Sequence, residues 1–262
     1  TLGSTMWTLP QDANPSDIND ITEAGAEGEL VETSEIANGD MVVHKIESTG
    51  LEGHFDAQNE EDVTDRFFAD HGVYDFSIEQ TNPGANQNDW ELELGADNTT
   101  VIADGDNDTY YVIVDTESVK TDDGRSIPDN EGLTANFTVF NREDYLSADF
   151  DNDEDETTEV DYEIVESELS IEEPYDVSNA AEQTIHGDTT LAPGTELRLR
   201  IRSMDGTSPS FLKTSSPVVQ GDRTWSTDFD FSEQSVGDTY EIVINGGSAA
   251  EVTEDGEVVE AV

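Results

Sequence analysis

The sequence predicts an all-β fold of sandwich or barrel type. Apolar residues recur at period two in short runs, and turn-forming residues separate the runs about every 8–12 positions. Helical periodicity is sparse, and no βαβ alternation is present.

The first candidate element is a short helix over Glu60–Phe68, opened by acids and carrying Val63, Phe67 and Phe68 on one face. Trp90, Leu92 and Leu94 alternate strictly with glutamates, which predicts a strand with one buried face. Tyr110–Val114 is continuously apolar, the pattern of a strand covered on both sides. Phe137, Val139 and Phe140 mark another strand, and Val160, Tyr162 and Ile164 alternate again after an acidic stretch at Asp149–Glu156. Ser178–Glu182 reads as a brief turn. Leu197, Leu199 and Ile201 share one strand face, as do Trp225, Phe229 and Phe231, and then Tyr240, Ile242 and Ile244. Turn chemistry falls between these runs, for example at Asn38–Asp40, Asp104–Asp106, Asp123–Arg125, Pro193–Thr195 and Asn245–Gly247.

The 262 residues suffice for two domains. A boundary near 165–172 divides the chain into a larger β-sandwich over 1–168 with long acidic loops and a second domain over 169–262. The second has the length of one seven-strand immunoglobulin-like sandwich. The first is long for such a unit, so it is expected to carry long loops or a leading segment over about 1–37 that pairs elsewhere. No repeat relates the two halves.

Charge sets the environment. The chain holds 63 Asp and Glu against 10 Lys and Arg, a formal charge of −53, with three lysines in all. Residues 1–168 carry net −40 and residues 169–262 net −13. Low hydropathy with high charge is also the signature of disorder, but clustered aromatics and alternating runs argue for a folded chain. Self-repulsion destabilises such a fold in dilute buffer. At about 1 M salt the Debye length falls to about 3 Å, so the composition fits a high-salt organism. The acidity also excludes nucleic acid and anionic lipid as partners, because both require a basic footprint. Inorganic cations are the natural companions.

No cysteine is present, which removes disulfides, thiolate metal sites and cysteine nucleophiles. No apolar run approaches the about 20 residues of a membrane helix, so this segment is not expected to insert directly into a membrane. Absence of a visible signal peptide leads to the expectation of a portion of something longer.

Motifs for catalysis are missing. His44, His54, His71 and His186 form no zinc-binding pair at helical spacing, and there is no nucleophile elbow or P-loop. A glycosidase carboxylate pair is recognised by geometry rather than motif, so the expectation of no enzyme and no required cofactor rests on absence. Three sequons, at Asn98, Asn107 and Asn136, are candidate acceptors for N-linked glycans. Asn98 and Asn107 stand first, because they lie in turns flanking the 110–114 strand. Asp104, Asp106 and Asp108 form one candidate Ca2+ or Mg2+ loop, and Asp149, Asp151 and Asp153 another. The second lacks the sixth-position glycine and twelfth-position glutamate of an EF-hand, and the first is the better site because turns let several carboxylates converge; the alternative for both is a solvated charge run. Arg198, Arg200 and Arg202 alternate with Leu197, Leu199 and Ile201, which places three of the seven arginines on one exposed stripe. Such a stripe is expected to meet carboxylates on an adjacent strand, on the first domain or on a neighbouring molecule.

Two stretches resemble haloarchaeal surface glycoproteins of the S-layer type. One comprises Thr81–Gly84 followed by Thr100–Asp115. The other comprises Leu191–Ser203, Ser208–Thr214 and Phe229–Glu233. The resemblance implies tandem immunoglobulin-like β-sandwich domains at an extracellular cell surface. It further implies N-linked glycans, divalent cations between acidic surfaces, and assembly with itself in a lattice or with other surface glycoproteins. It makes the chain a structural spacer and lattice contact. An adhesion module of an appendage or viral spike, and an accessory domain of a secreted halophilic hydrolase, remain as alternatives.

Overall fold

The structure is a computed structural model that describes residues 2–51, 53, 62–69, 72–81, 83, 89–140 and 155–260. Strands dominate, as the period-two runs require. The N-terminal part contains β1 (Leu2–Leu9), β2 (Val31–Glu32), β3 (Glu35–Ala37), β4 (Met41–Ser48), β5 (Tyr74–Gln80), β6 (Thr99–Asp104), β7 (Thr109–Asp115), β8 (Glu131–Val139) and β9 (Glu156–Val165). They form two sheets, ordered β2-β1-β4-β7-β6 and β3-β9-β8-β5. The inner faces meet in one cluster that includes Met6, Val42, Ile46, Tyr110, Val112 and Val114 from the first sheet. Ile78, Leu133, Phe137, Tyr162 and Ile164 face them from the second. If β1, β4, β5, β6, β7, β8 and β9 are lettered A to G, the sheets read ABED and CFG, which is the immunoglobulin-type arrangement.

A helix, α1 (Ile18–Glu27), is inserted between β1 and β2. Asp17 caps it by accepting from the Asn19 and Asp20 amides, Asp20 reaches back to complete a capping box, and Gly28 ends it at φ 80°. Ile21 and Ala24 pack with Leu9, Val43, Ile102 and Ile113 on the outer face of the first sheet. This corrects the expectation that a leading segment pairs elsewhere: residues 2–9 are an internal strand of the first sheet, and α1 covers its outer face. The helix also explains the unbroken apolar run of β7, which turns Tyr110, Val112 and Val114 to the sandwich core and Ile113 to α1.

The short helix expected over Glu60–Phe68 is present as α2 (Val63–Phe68), capped by Asp62, with Glu60 and Glu61 outside the described residues. The strand expected at Trp90–Leu94 is not. Trp90 and Leu92 are buried as the alternation implied, but the backbone bonds to two neighbours in turn. Leu92 donates to Ile78 at 2.9 Å, Glu93 donates to Lys120 at 2.8 Å, and only isolated bridges result.

The C-terminal part contains β10 (Val177–Ser178), β11 (Gln183–Asp188), β12 (Arg198–Ser203), β13 (Leu212–Ser215), β14 (Thr224–Phe229), β15 (Thr239–Gly246) and β16 (Ala249–Val259). One sheet is β10-β16-β15-β12-β13, and the other is β11-β14, extended by the segment near Leu169 that bridges Thr189. The pairing of β11 with β14 against β12, β15 and β16 is again the B-E and C-F-G division. Trp225, Phe231, Tyr240, Ile242 and Val258 are fully buried between the sheets, and the Trp225 indole donates to the Ser170 carbonyl at 3.2 Å.

Candidate functional site

Two places combine charge with burial or with missing partners: the outer face of β12 and the junction between the two sandwiches.

On β12, Leu199 and Ile201 are buried, which turns Arg198, Arg200 and Arg202 outward. Arg200 stands between Thr214 of β13 and Val243 of β15. Arg202 stands between Leu212 and Glu241, and Arg198 is paired with Asn245. Among the described residues none of the three arginines has a carboxylate within ion-pairing distance. The face is also partly apolar. Leu212 is 62% exposed, whereas Val243 is 4% exposed although it points the same way. A flanking arginine stem is long enough to supply that cover.

The junction is built from the turn that follows β3. Ala37 packs in the C-terminal core cluster. Gly39 has φ 104°, and a Cβ there would lie 2.4 Å from Ser248 Cβ, so both backbone conformation and close approach demand glycine. Ser167 and Ser248 donate to the Asn38 carbonyl. Asp40 is completely buried: its Oδ2 accepts from the Ala192 amide at 2.6 Å, while its Oδ1 has no hydrogen-bond partner among the described residues. Burial pushes its carboxyl up to about 7. The Ala192 amide, the Arg223 charge and the Gln11 amide act against that rise, and Asp12 adds to it. Arg223 reaches across to donate to the Glu35 carbonyl at 2.7 Å, with the Glu35 carboxylate at 3.4 Å. Arg223→Ala is expected to cost about 1–2 kcal/mol, read as a fall of a few degrees in the melting midpoint in molar salt. An unchanged midpoint would show that these bonds do not tie the sandwiches.

The sequons differ in setting. Asn107 is exposed, and its side-chain amide donates to Asp104 at 2.7 Å. Asn98 is half-buried and closes its own turn, accepting from the Gly95 amide and donating to the Glu93 carbonyl at 2.8 Å. Asn136 points outward from β8, between Ser77 and Glu159. Asp104, Asp106 and Asp108 span a 3-10 turn over Gly105–Asn107, and Asp108 is left-handed at φ 52°. Among the described residues no three acidic or histidine side chains converge as metal ligands. Asp149, Asp151 and Asp153 lie outside the described residues, as do His54 and His71. His44 is buried between Phe76 and Tyr162, and burial pulls its imidazole down to about 3, so it is a neutral core side chain at ordinary pH. His186 pairs with Glu172 at 3.2 Å.

No helix among the described residues is long and apolar enough to cross a membrane, and no protein-family model matches the chain. Among solved structures, a tetra-tandem repeat from the extending region of a large adhesion protein aligns over 87% of this chain and 48% of its own, at 13% identity and TM-score 0.30. A marsupial T cell receptor aligns over 99% and 73%, at 6% identity and TM-score 0.30. The fold assignment rests on strand order, not on these superpositions.

Curated relatives are more informative. The "Cell surface glycoprotein" of Haloferax gibbonsii is 40% identical over 267 residues, covering 97% of this chain and 30% of that protein. "Cell surface glycoprotein 2" and "Cell surface glycoprotein 1" of Haloarcula hispanica are 32% and 31% identical, with the same coverage. The chain spans about 30% of the length of the curated relatives it matches. Similarity along nearly its whole length makes this chain a homologue of the haloarchaeal cell surface glycoproteins, and its place is the extracellular face of the cell.

Proposed function

We propose that the chain is a non-enzymatic structural module of a haloarchaeal surface layer, in which two acidic immunoglobulin-like sandwiches, divided near residue 168, act as spacer and lattice contact. The observation that carries this reading is the arginine face of β12: a chain of net −53 keeps three arginines together, exposed and without an ion-pair partner among the described residues. Arginine is enriched at protein interfaces, so the face is suited to a neighbouring acidic surface. In this reading divalent cations are shared between acidic copies, with Asp104, Asp106 and Asp108 as available carboxylates. Asp149, Asp151 and Asp153 keep that role as a sequence-based proposal. N-linked glycans cover outward turns, with Asn107 the most accessible acceptor.

Electron microscopy of native cells, and of the purified full-length protein in molar salt before and after adding Ca2+ or Mg2+, tests the reading. An ordered array is expected, together with glycopeptides at Asn107 by mass spectrometry. Absence of any array, with Asn98, Asn107 and Asn136 all unmodified, would exclude the wall role.

A further inference from the structure

We propose that the arginine face of one copy docks on an acidic stripe on the N-terminal sandwich of a second copy, so that the contact propagates head to tail. This rests on the lattice-contact reading above and names its partner surface. On β9, Tyr162 and Ile164 are buried, which turns Glu159, Asp161 and Glu163 outward, all three exposed. The stripe is thus the charge-reversed counterpart of Arg198, Arg200 and Arg202: three like charges at alternate positions of one strand.

Alternate residues on a strand are about 6.7 Å apart, so both stripes have the same pitch, and three arginines register with three carboxylates along about 13 Å. Arginine suits such pairing because its guanidinium presents paired donors to a carboxylate. The acidic stripe also borders a carboxylate that already receives an arginine. Glu35 is the neighbour of Glu163 across the β3–β9 pair, and it takes Arg223 from the C-terminal sandwich of its own chain.

Molar salt does not abolish such a contact. Screening over about 3 Å removes long-range repulsion between copies but acts least on desolvated pairs in contact. The apolar component at Leu212, 62% exposed, gains in salting-out conditions. Because the two stripes lie on different sandwiches, each copy offers one face of each charge. A heterologous contact of this kind forms rows rather than closed dimers unless its rotation closes a ring.

The test is charge exchange in the full-length protein in molar salt, with association followed by analytical ultracentrifugation and folding by circular dichroism. Arg200→Glu is expected to raise the concentration needed for association about tenfold, and Arg198→Glu/Arg200→Glu/Arg202→Glu to abolish it. The same triple replacement by Gln keeps most of the stem over Val243, guards against misfolding, and is expected to weaken association as well. Glu159→Arg/Asp161→Arg/Glu163→Arg is also expected to abolish association, and combining both charge-reversed triples in one chain to restore it. Wild-type association by the Gln triple, or failure of the combined folded variant to recover it, would overturn the proposal. So would a glycan on Asn136, which lies beside Glu159 on the docking face. If unaltered protein forms no assembly at all, the lattice reading itself fails.

Discussion

Transfer from molar salt to dilute buffer at neutral pH is expected to unfold the chain, with the N-terminal sandwich melting first. A domain of ordinary stability has about 5–15 kcal/mol in hand. Here that margin is opposed by a net charge of −53, of which −40 lies in residues 1–168. At about 0.01 M ionic strength the Debye length is about 30 Å, comparable with a whole sandwich, so nearly every carboxylate repels the others. At about 1 M the range shrinks to about 3 Å and only contacts remain. Acidification at low salt should restore part of the compactness, because neutralised carboxylates no longer repel. The measurement is far-ultraviolet circular dichroism against salt, with fluorescence of single-tryptophan variants. Trp7 and Trp90 report on the N-terminal sandwich, and fully buried Trp225 on the C-terminal one. A melting temperature independent of salt would contradict the argument, and simultaneous loss of both signals would contradict the order.

The residues that made the fold legible are those whose side chains alternate. Leu199 and Ile201 against Arg198, Arg200 and Arg202 fixed both the strand and its exposed stripe, and the structure keeps that parity. The continuous run Tyr110–Val114 announced cover on both faces, but not that the second cover would be α1. A signal for that helix exists: Asp17 and Asp20 at capping-box spacing, Ile18, Ile21 and Ala24 on one face, and Gly28 at the end. It is short and polar, and it is outweighed in a chain where acids occur everywhere. Trp90–Leu94 misled for the opposite reason. Alternation reports which side chains are buried, but not whether a neighbour is long enough to form a ladder. The junction was least legible. Asn38–Asp40 reads as a turn, and nothing local tells that residue 192 will close over the Asp40 carboxylate, because that contact depends on how two separately folded cores meet.

That carboxylate gives the second large effect: Asp40→Asn is expected to stabilise the protein above neutral pH and to leave it unchanged near pH 4. Asp40 is fully buried and its carboxyl is raised from 3.8 to about 7, chiefly by burial. A group whose folded pKa lies above its unfolded value binds the proton more tightly when folded. Its contribution is therefore fully present below about pH 4 and is lost as pH rises through about 7. A gap of about three units corresponds to about 4 kcal/mol at most, so a gain of about 2–4 kcal/mol is expected for the Asn variant at pH 8. Asparagine stays neutral at both values, and its carbonyl can still accept from the Ala192 amide. Asp40→Ala should behave differently, because the buried amide loses its acceptor, which costs about 1–3 kcal/mol at any pH. Denaturant titrations of wild type and Asn variant, compared at each pH in molar salt, cancel the titration of the other carboxylates. A difference that stays constant from pH 4 to pH 8 would show that Asp40 is not held protonated at the junction. A difference that opens between those limits would make this single carboxyl a pH-dependent weak point where the two sandwiches meet.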